Sequence, residues 1–194
     1  MISVGLTGGI GSGKTTISKI FSLLGISTYN SDIRAKALML SDERIVGLLT
    51  DTFGKQTYLT KNQINTKYLA KIVFKDKTAR ERINAIVHPI VAEDFYLFKQ
   101  QHQNDPYIIK ESAILFETGI YKQLDKNILI VSPMSLRIDR LLKRDKSNEQ
   151  EIKNRIEAQL SDSEKLILAD FIVDNNESNM IIPQILKIDQ ELRA

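Results

Sequence analysis

The chain has 194 residues, 42% of them apolar and 26% charged, and its 27 basic and 24 acidic side chains leave a net charge of +3. That length and balance suit one soluble globular domain with a real core, and they give no charge-based argument for a nucleic-acid partner. With no cysteine, disulfides and thiolate metal sites are excluded and a cytoplasmic setting is favoured, while two histidines, His88 and His102, are too few for a histidine-rich metal centre.

Ile2 to Leu6 (ISVGL) is a short apolar run with β-branched residues, and it reads as a buried strand ending in glycines. From Lys14 onward, Ile17, Ile20, Phe21 and Leu24 recur at helical spacing, and Gly25 stops the helix. Ile26 to Asn30 reads as a second strand, so the chain opens as a βαβ unit, which implies a parallel sheet. Residues 32 to 102 read as almost wholly helical, with an apolar stripe of Ile83, Ile86, Val87, Ile90 and Val91 broken at Pro89. Tyr107 to Ile109, leading into Lys110 and Glu111, is a third strand; Asn127 to Ser132 is a fourth and Phe171 to Asp174 a fifth. Helical patterns are expected between the third and fourth strands, between the fourth and fifth, and after the fifth. The long helical excursion after the second strand reads as an insertion into a doubly wound α/β core. No apolar run is long enough to span a bilayer, and the N-terminus MISVGLTGG lacks the basic region and apolar core of a signal peptide, so no membrane partner is expected.

The stretch Gly8 to Thr15 (GGIGSGKT) fits G-x-x-x-x-G-K-[ST] and has the required context, a strand before it and a helix after it. Each residue type has a chemical reason. The glycines let successive backbone N–H groups turn inward and cradle phosphate oxygens. The helix that follows offers its unpaired N–H groups and partial positive charge to an anion. Lys14 would reach the β- and γ-phosphates, and the Thr15 hydroxyl would coordinate Mg2+. The candidate ATP site is therefore Gly8, Gly9, Gly11, Ser12, Gly13, Lys14, Thr15 and Thr16. No N-K-x-D guanine motif is present, and the third strand ends in a lone Glu111, which argues against a switch GTPase or a remodelling ATPase.

A small-molecule kinase needs an acceptor site, a base and mobile positive charge. Asp32 lies just beyond the second strand, at the carboxyl end where open parallel sheets bind ligands. It can take or orient an acceptor proton, or simply start a helix together with Ser31. Arg140 and Arg144 are four apart on one helical face, with Arg137, Lys143 and Arg155 nearby. They can close on a transferring phosphoryl group or form a solvated basic face. His88 stands before the proline of the long helical pattern, where a structural role is open to it.

Taken in order, these residues resemble the dephospho-coenzyme A kinase family over nearly the whole chain. The resemblance rests on L-T-G-G-I-G-S-G-K at 6–14, F-x-x-L-G at 21–25, V-F-x-D at 73–76 and R-x-x-x-N-x-I-x-H-P from Arg80 to Pro89. It continues with Ile114-Leu115-Phe116-Glu117, R-x-x-x-R-D at 140–145, R-x-x-x-Q at 155–159 and A-D-x-x-x-D-N at 169–175. It implies an α/β P-loop kinase core with a five-stranded, mostly parallel sheet flanked by helices. The implied layout is a core of residues 1–32, 103–135 and 169–194, a helical acceptor subdomain at 33–102 and a helical lid at 136–168. It also implies ATP-dependent phosphorylation of the ribose 3′-hydroxyl of dephospho-coenzyme A, the last step of coenzyme A synthesis, with Mg2+ and without nucleic acid. Carried over, Lys14, Asp32 and Arg140 become the catalytic set, with Asp32 the base or orienter of the 3′-hydroxyl. Arg140 and Arg144 clamp phosphates from the lid, Arg80, His88 and Glu117 fall on the acceptor side, and Asn175 falls near the adenine pocket. Three positions depart from the family pattern: Asn30 replaces the first aspartate of D-x-D, Glu111-Ser112-Ala113 lacks a proline, and Arg137 stands where a glutamine is frequent. Glu111 becomes a candidate outer partner of the metal.

Overall fold

The computed structural model describes residues 1–76, 78–145 and 148–194, so position 77 of the expected helical insertion and positions 146 and 147 of the expected lid lie outside the described residues. The chain forms two compact units, residues 1–30 with 102–194, and residues 31–101.

The first unit is built on a five-stranded sheet of β1 (Ile2–Gly8), β2 (Ser27–Asn30), β5 (Tyr107–Glu111), β6 (Lys126–Val131) and β7 (Phe171–Asp174). The strands stand in the order β2-β5-β1-β6-β7, and every pairing is parallel. β5 separates β1 from β2, so the opening βαβ unit does not place its two strands side by side. Parallel sheets need cover on both faces, and the three inner strands β1, β5 and β6 are accordingly buried along most of their length, while the edge strands β2 and β7 are only partly buried. Val4, Leu6, Ile109, Ile128, Ile130 and Val173 pack against Ile17 and Phe21 of α1 (Lys14–Leu23) and Ile185, Ile188 and Leu192 of α9 (Ile181–Arg193). Each such side chain contributes about 1.5–3 kcal/mol on burial, which makes this face the main apolar core of the unit. After β6 come α6 (Met134–Arg144), α7 (Glu149–Glu157) and α8 (Asp162–Leu168).

β1 runs to Gly8, beyond the ISVGL stretch, because Gly8 still pairs with Ile130 of β6. The helix expected between the third and fourth strands does not form. Between β5 and β6 the chain makes a 3₁₀ turn, Ile120–Gln123, after Gly119 at φ +74. Leu115 and Phe116 are buried in that segment, so its apolar residues serve an irregular backbone.

The second unit contains α2 (Ser31–Ser41), α3 (Glu43–Phe53), α4 (Thr66–Lys75) and α5 (Ala79–Gln101). Asp42 caps α3 by accepting the Arg44 N–H at 2.9 Å. Arg34 grips Asp94 through two bonds of 2.8 and 2.6 Å, tying α2 to α5. The expectation of an almost wholly helical segment needs correction at residues 58–64. There β3 (Tyr58–Thr60) and β4 (Gln63–Ile64) form an antiparallel hairpin, after Gly54 at φ +91 ends α3. The expected break at Pro89 is also absent, and α5 passes through it. Proline removes one helical hydrogen bond, but Val87, Ile90 and Val91 on either side are buried and hold the helix in register. Among the described residues, no helix is long and apolar enough to cross a membrane.

Candidate active site

The site is built on the loop that joins β1 to α1. The Ser12 N–H donates to the Gly9 carbonyl at 3.1 Å and turns the loop back. Gly11 at φ +82 and Gly13 at φ +99 occupy the left-handed region, where a side chain would be strained. Gly13 is the N-cap of α1, with no side-chain cap and no acidic residue in the first turn. The positive end of that helix thus has neither a side-chain cap nor a first-turn acid to offset it, which favours an anion in the loop. Lys14 Nζ donates to the Gly8 carbonyl at 2.8 Å and to the Gly9 carbonyl at 3.3 Å, so its ammonium is held at the loop itself.

Two other sequence-expected residues converge there from distant parts of the chain. Asn175, just past β7, donates from Nδ2 to the Ser12 carbonyl at 2.8 Å. A Cβ on Gly13 would lie 2.4 Å from that nitrogen, so the carboxamide and the glycine share one space. Arg140 of α6 donates from Nη1 to Ser132 Oγ at 3.1 Å and to the Gly11 carbonyl at 3.4 Å. Its Nη2 reaches the Asn175 carbonyl at 3.4 Å and Glu177 Oε1 at 3.0 Å. Glu177 itself sits at φ +66, a left-handed backbone unusual for a residue with a side chain.

Other expected residues lie elsewhere. Arg144 donates from Nε to Asp145 Oδ1 at 2.8 Å, and Arg155 Nη1 reaches Asp145 Oδ2 at 2.9 Å. Their guanidinium groups, Arg144 first, hold the Asp145 carboxyl well below the usual carboxylate range. Glu117 Oε1 accepts the Leu160 N–H at 3.1 Å and lies 3.0 Å from Lys165 Nζ. Within the second unit, Asp32 is exposed on the first turn of α2, Arg80 is exposed near the start of α5, and His88 is half-buried along α5.

The candidate metal partners are one residue at the end of a strand and one at the start of a helix. Glu111 closes β5 and is buried, in register with Leu6 of β1 and Asn30 of β2. Thr15 lies on the first turn of α1. Next to Glu111, Lys110 is only 4% exposed and stands 5.8 Å from the Tyr29 ring centre. Burial lowers its pKa to about 8, because a desolvated ammonium is costly.

With this geometry in place, the sequence model of the dephospho-CoA kinase family matches residues 2–180. The chain belongs to the dephospho-CoA kinase family. It is 34% identical over 187 residues to a dephospho-CoA kinase of Bacteroides fragilis, covering 96% of this chain and 91% of that protein. It is 35% identical over 179 residues to a dephospho-CoA kinase of Bacillus licheniformis, covering 90% of this chain and 88% of that one. The solved dephospho-CoA kinase from Campylobacter jejuni superposes with a TM-score of 0.71 at 28% identity, covering 98% of this chain and 96% of that chain.

Several residues of this kinase-family site carry no role in the linear reading. Gln159 closes the R-x-x-x-Q motif, but its contact with the loop spans 149 positions. Ser132 and Glu177 hold Arg140, and Lys165 neutralises Glu117, and no local pattern marks any of the three.

Proposed function

We propose that this chain transfers the γ-phosphoryl group of ATP to the ribose 3′-hydroxyl of dephospho-CoA, giving CoA and ADP. The observation that supports it best is the convergence of Lys14, Arg140 and Asn175 on an uncapped glycine loop, in a chain of the dephospho-CoA kinase family. In the proposed reaction the 3′-oxygen bonds to the γ-phosphorus as the bond from that phosphorus to the β–γ bridging oxygen breaks. The loop from Gly8 to Thr16 binds the triphosphate, and Lys14 exchanges its carbonyl partners for β- and γ-phosphate oxygens. Arg140 and Arg144 supply positive charge as the phosphoryl group transfers. Asp32 orients the 3′-hydroxyl or takes its proton, and Arg80, His88 and Glu117 serve the acceptor. Asn175 bounds the nucleotide side of the loop.

Mg2+ fits this donor set. A threonine hydroxyl on the first turn of α1 and a buried carboxylate at the carboxyl end of β5 are hard oxygen ligands, and Mg2+ bound with a nucleotide takes only one or two protein groups. Thr15 would hold it, with Glu111 behind, and the ion when bound neutralises phosphate charge. We place the reaction in the cytoplasm, with neither nucleic acid nor membrane as a partner.

The test is ADP release from ATP with dephospho-CoA, beside nucleoside monophosphates, shikimate and gluconate as acceptors, with product mass checked for a single added phosphate. Turnover with dephospho-CoA alone is expected. Turnover only with another acceptor overturns the acceptor assignment, and ATP binding without any turnover overturns the enzymatic reading.

A further inference from the structure

Ile10 stands at the tip of the glycine loop, and every part of it is held by the segment that follows β6. Its N–H donates to Gln159 Oε1 at 2.8 Å. Its carbonyl accepts from Arg137 Nε at 2.9 Å. Its side chain packs against the cluster of Leu141, Ile152 and Ile156 from α6 and α7. The two polar partners are themselves fixed. Gln159 Nε2 donates to the Ala113 carbonyl at 3.0 Å, and Arg137 Nη1 pairs with Asp162 of α8 at 3.2 Å. Arg137 is only 3% exposed, and its guanidinium lies along Gly9, where a Cβ would stand 2.2 Å from Nη2.

We propose that Arg137 and Gln159 are positioning residues that hold the phosphate-binding loop in its working shape through Ile10. This rests on reading residues 8–15 as a nucleotide phosphate loop. A loop with four glycines in eight residues loses a large conformational entropy when it is ordered. An amide cradle binds phosphate well only if that cost is met before the ligand arrives. Ile10 is the natural handle, because both of its backbone polar groups are engaged from outside the loop. The two bonds that hold Ile10 occupy none of the amides nearer α1. The buried guanidinium has the same logic. An arginine removed from water needs compensation, and it finds it in the Ile10 carbonyl and the Asp162 carboxylate. Arg137, which departs from the glutamine frequent in the family pattern, thereby has a place in the site without touching the substrate. A glutamine at 137 could still donate one hydrogen bond to Ile10, whereas an apolar side chain could donate none.

The test compares Arg137→Met, Arg137→Gln and Gln159→Leu with the unmodified chain. ADP and ATP affinities are measured by calorimetry without acceptor, well below each variant's melting temperature. KM values for ATP and dephospho-CoA and the exchange rate of the Ile10 amide by NMR are measured alongside. Arg137→Met and Gln159→Leu should each weaken nucleotide binding and raise KM for ATP about tenfold, with KM for dephospho-CoA within about twofold of the parent. The Ile10 amide should exchange at least tenfold faster, and Arg137→Gln should recover most of the affinity. The Arg137→Met/Gln159→Leu double variant should be little worse than the weaker single variant, since both act through one loop. Variants that melt earlier yet bind nucleotide with parental affinity would overturn the proposal. If Arg137→Met does not fold, Gln159→Leu and Arg137→Gln decide the same question. Failure of the unmodified chain to bind ATP would instead overturn the phosphate-loop reading.

Discussion

Lys165 Nζ lies 3.0 Å from Glu117 Oε1, and the lysine side chain is wholly removed from solvent. Glu117 closes the Ile114-Leu115-Phe116-Glu117 stretch, while Lys165 sits on α8. The second carboxylate oxygen, Oε2, is buried with no hydrogen-bond partner among the described residues. This acid is thus bound to the helices that follow β6, and the pair is a joint between two parts of the first unit.

Lys165→Met should expose that dependence. Removing one partner of a buried pair leaves an uncompensated charge and costs about 3–5 kcal/mol. The melting temperature should fall on the order of 10 °C. Adding Glu117→Gln should recover much of the loss, because the carboxylate charge goes as well. Thermal melts of the two single variants and the double variant check this. In addition, the acceptor role proposed for Glu117 predicts that Glu117→Gln raises KM for dephospho-CoA and leaves KM for ATP unchanged.

Lys14→Ala should lower turnover on the order of 10³-fold while the chain stays folded. The ammonium donates to the Gly8 and Gly9 carbonyls, while β1 is held by its backbone pairing with β5 and β6, so the sheet stays intact without it. Circular dichroism and steady-state ADP release provide the check. Full activity would remove the loop from the mechanism.

Asp32→Asn separates a chemical role from a helical one. Loss of a base or orienter lowers kcat about 10²–10⁴-fold at constant ATP affinity. If Asp32 only favours the positive end of α2, the variant keeps kcat and loses about 0.5–1 kcal/mol of stability. Kinetics and melting on the same preparation distinguish the two.

Lys110 gives a pH signature. Its folded pKa of about 8 lies below its ordinary 10.5, so between those values the unfolded chain binds more protons than the folded one. Stability then rises with pH from about 8 to 10, and below 8 the buried charge costs its full penalty, on the order of 3 kcal/mol. Lys110→Met should remove that slope and raise stability at neutral pH. Denaturant midpoints measured from pH 7 to 10 test it, and an unchanged slope would place the cause elsewhere.

The sequence by itself determines what depends on near neighbours along the chain. The loop from Gly8 to Thr15 is readable because its glycines, lysine and hydroxyl act within a single turn leading into one helix. β7 is readable to its ends, and the other strands of the large sheet nearly so, because they are short runs carrying β-branched or aromatic residues and bounded by polar or glycine residues. Family membership is readable because the motifs keep their order. Where local rules met tertiary packing, the structure decided otherwise. Pro89 stays inside α5 because buried Val87, Ile90 and Val91 hold the helix across it, and residues 58–64 pair as a hairpin within a helical unit. The placement of β5 between β1 and β2, the hold of Glu177 on Arg140 and the grip of Arg137 and Gln159 on Ile10 belong to the tertiary structure alone. Each joins residues far apart in the chain, and a hydrogen bond or ion pair leaves no spacing or periodicity in a sequence when its partners meet only after the chain has folded.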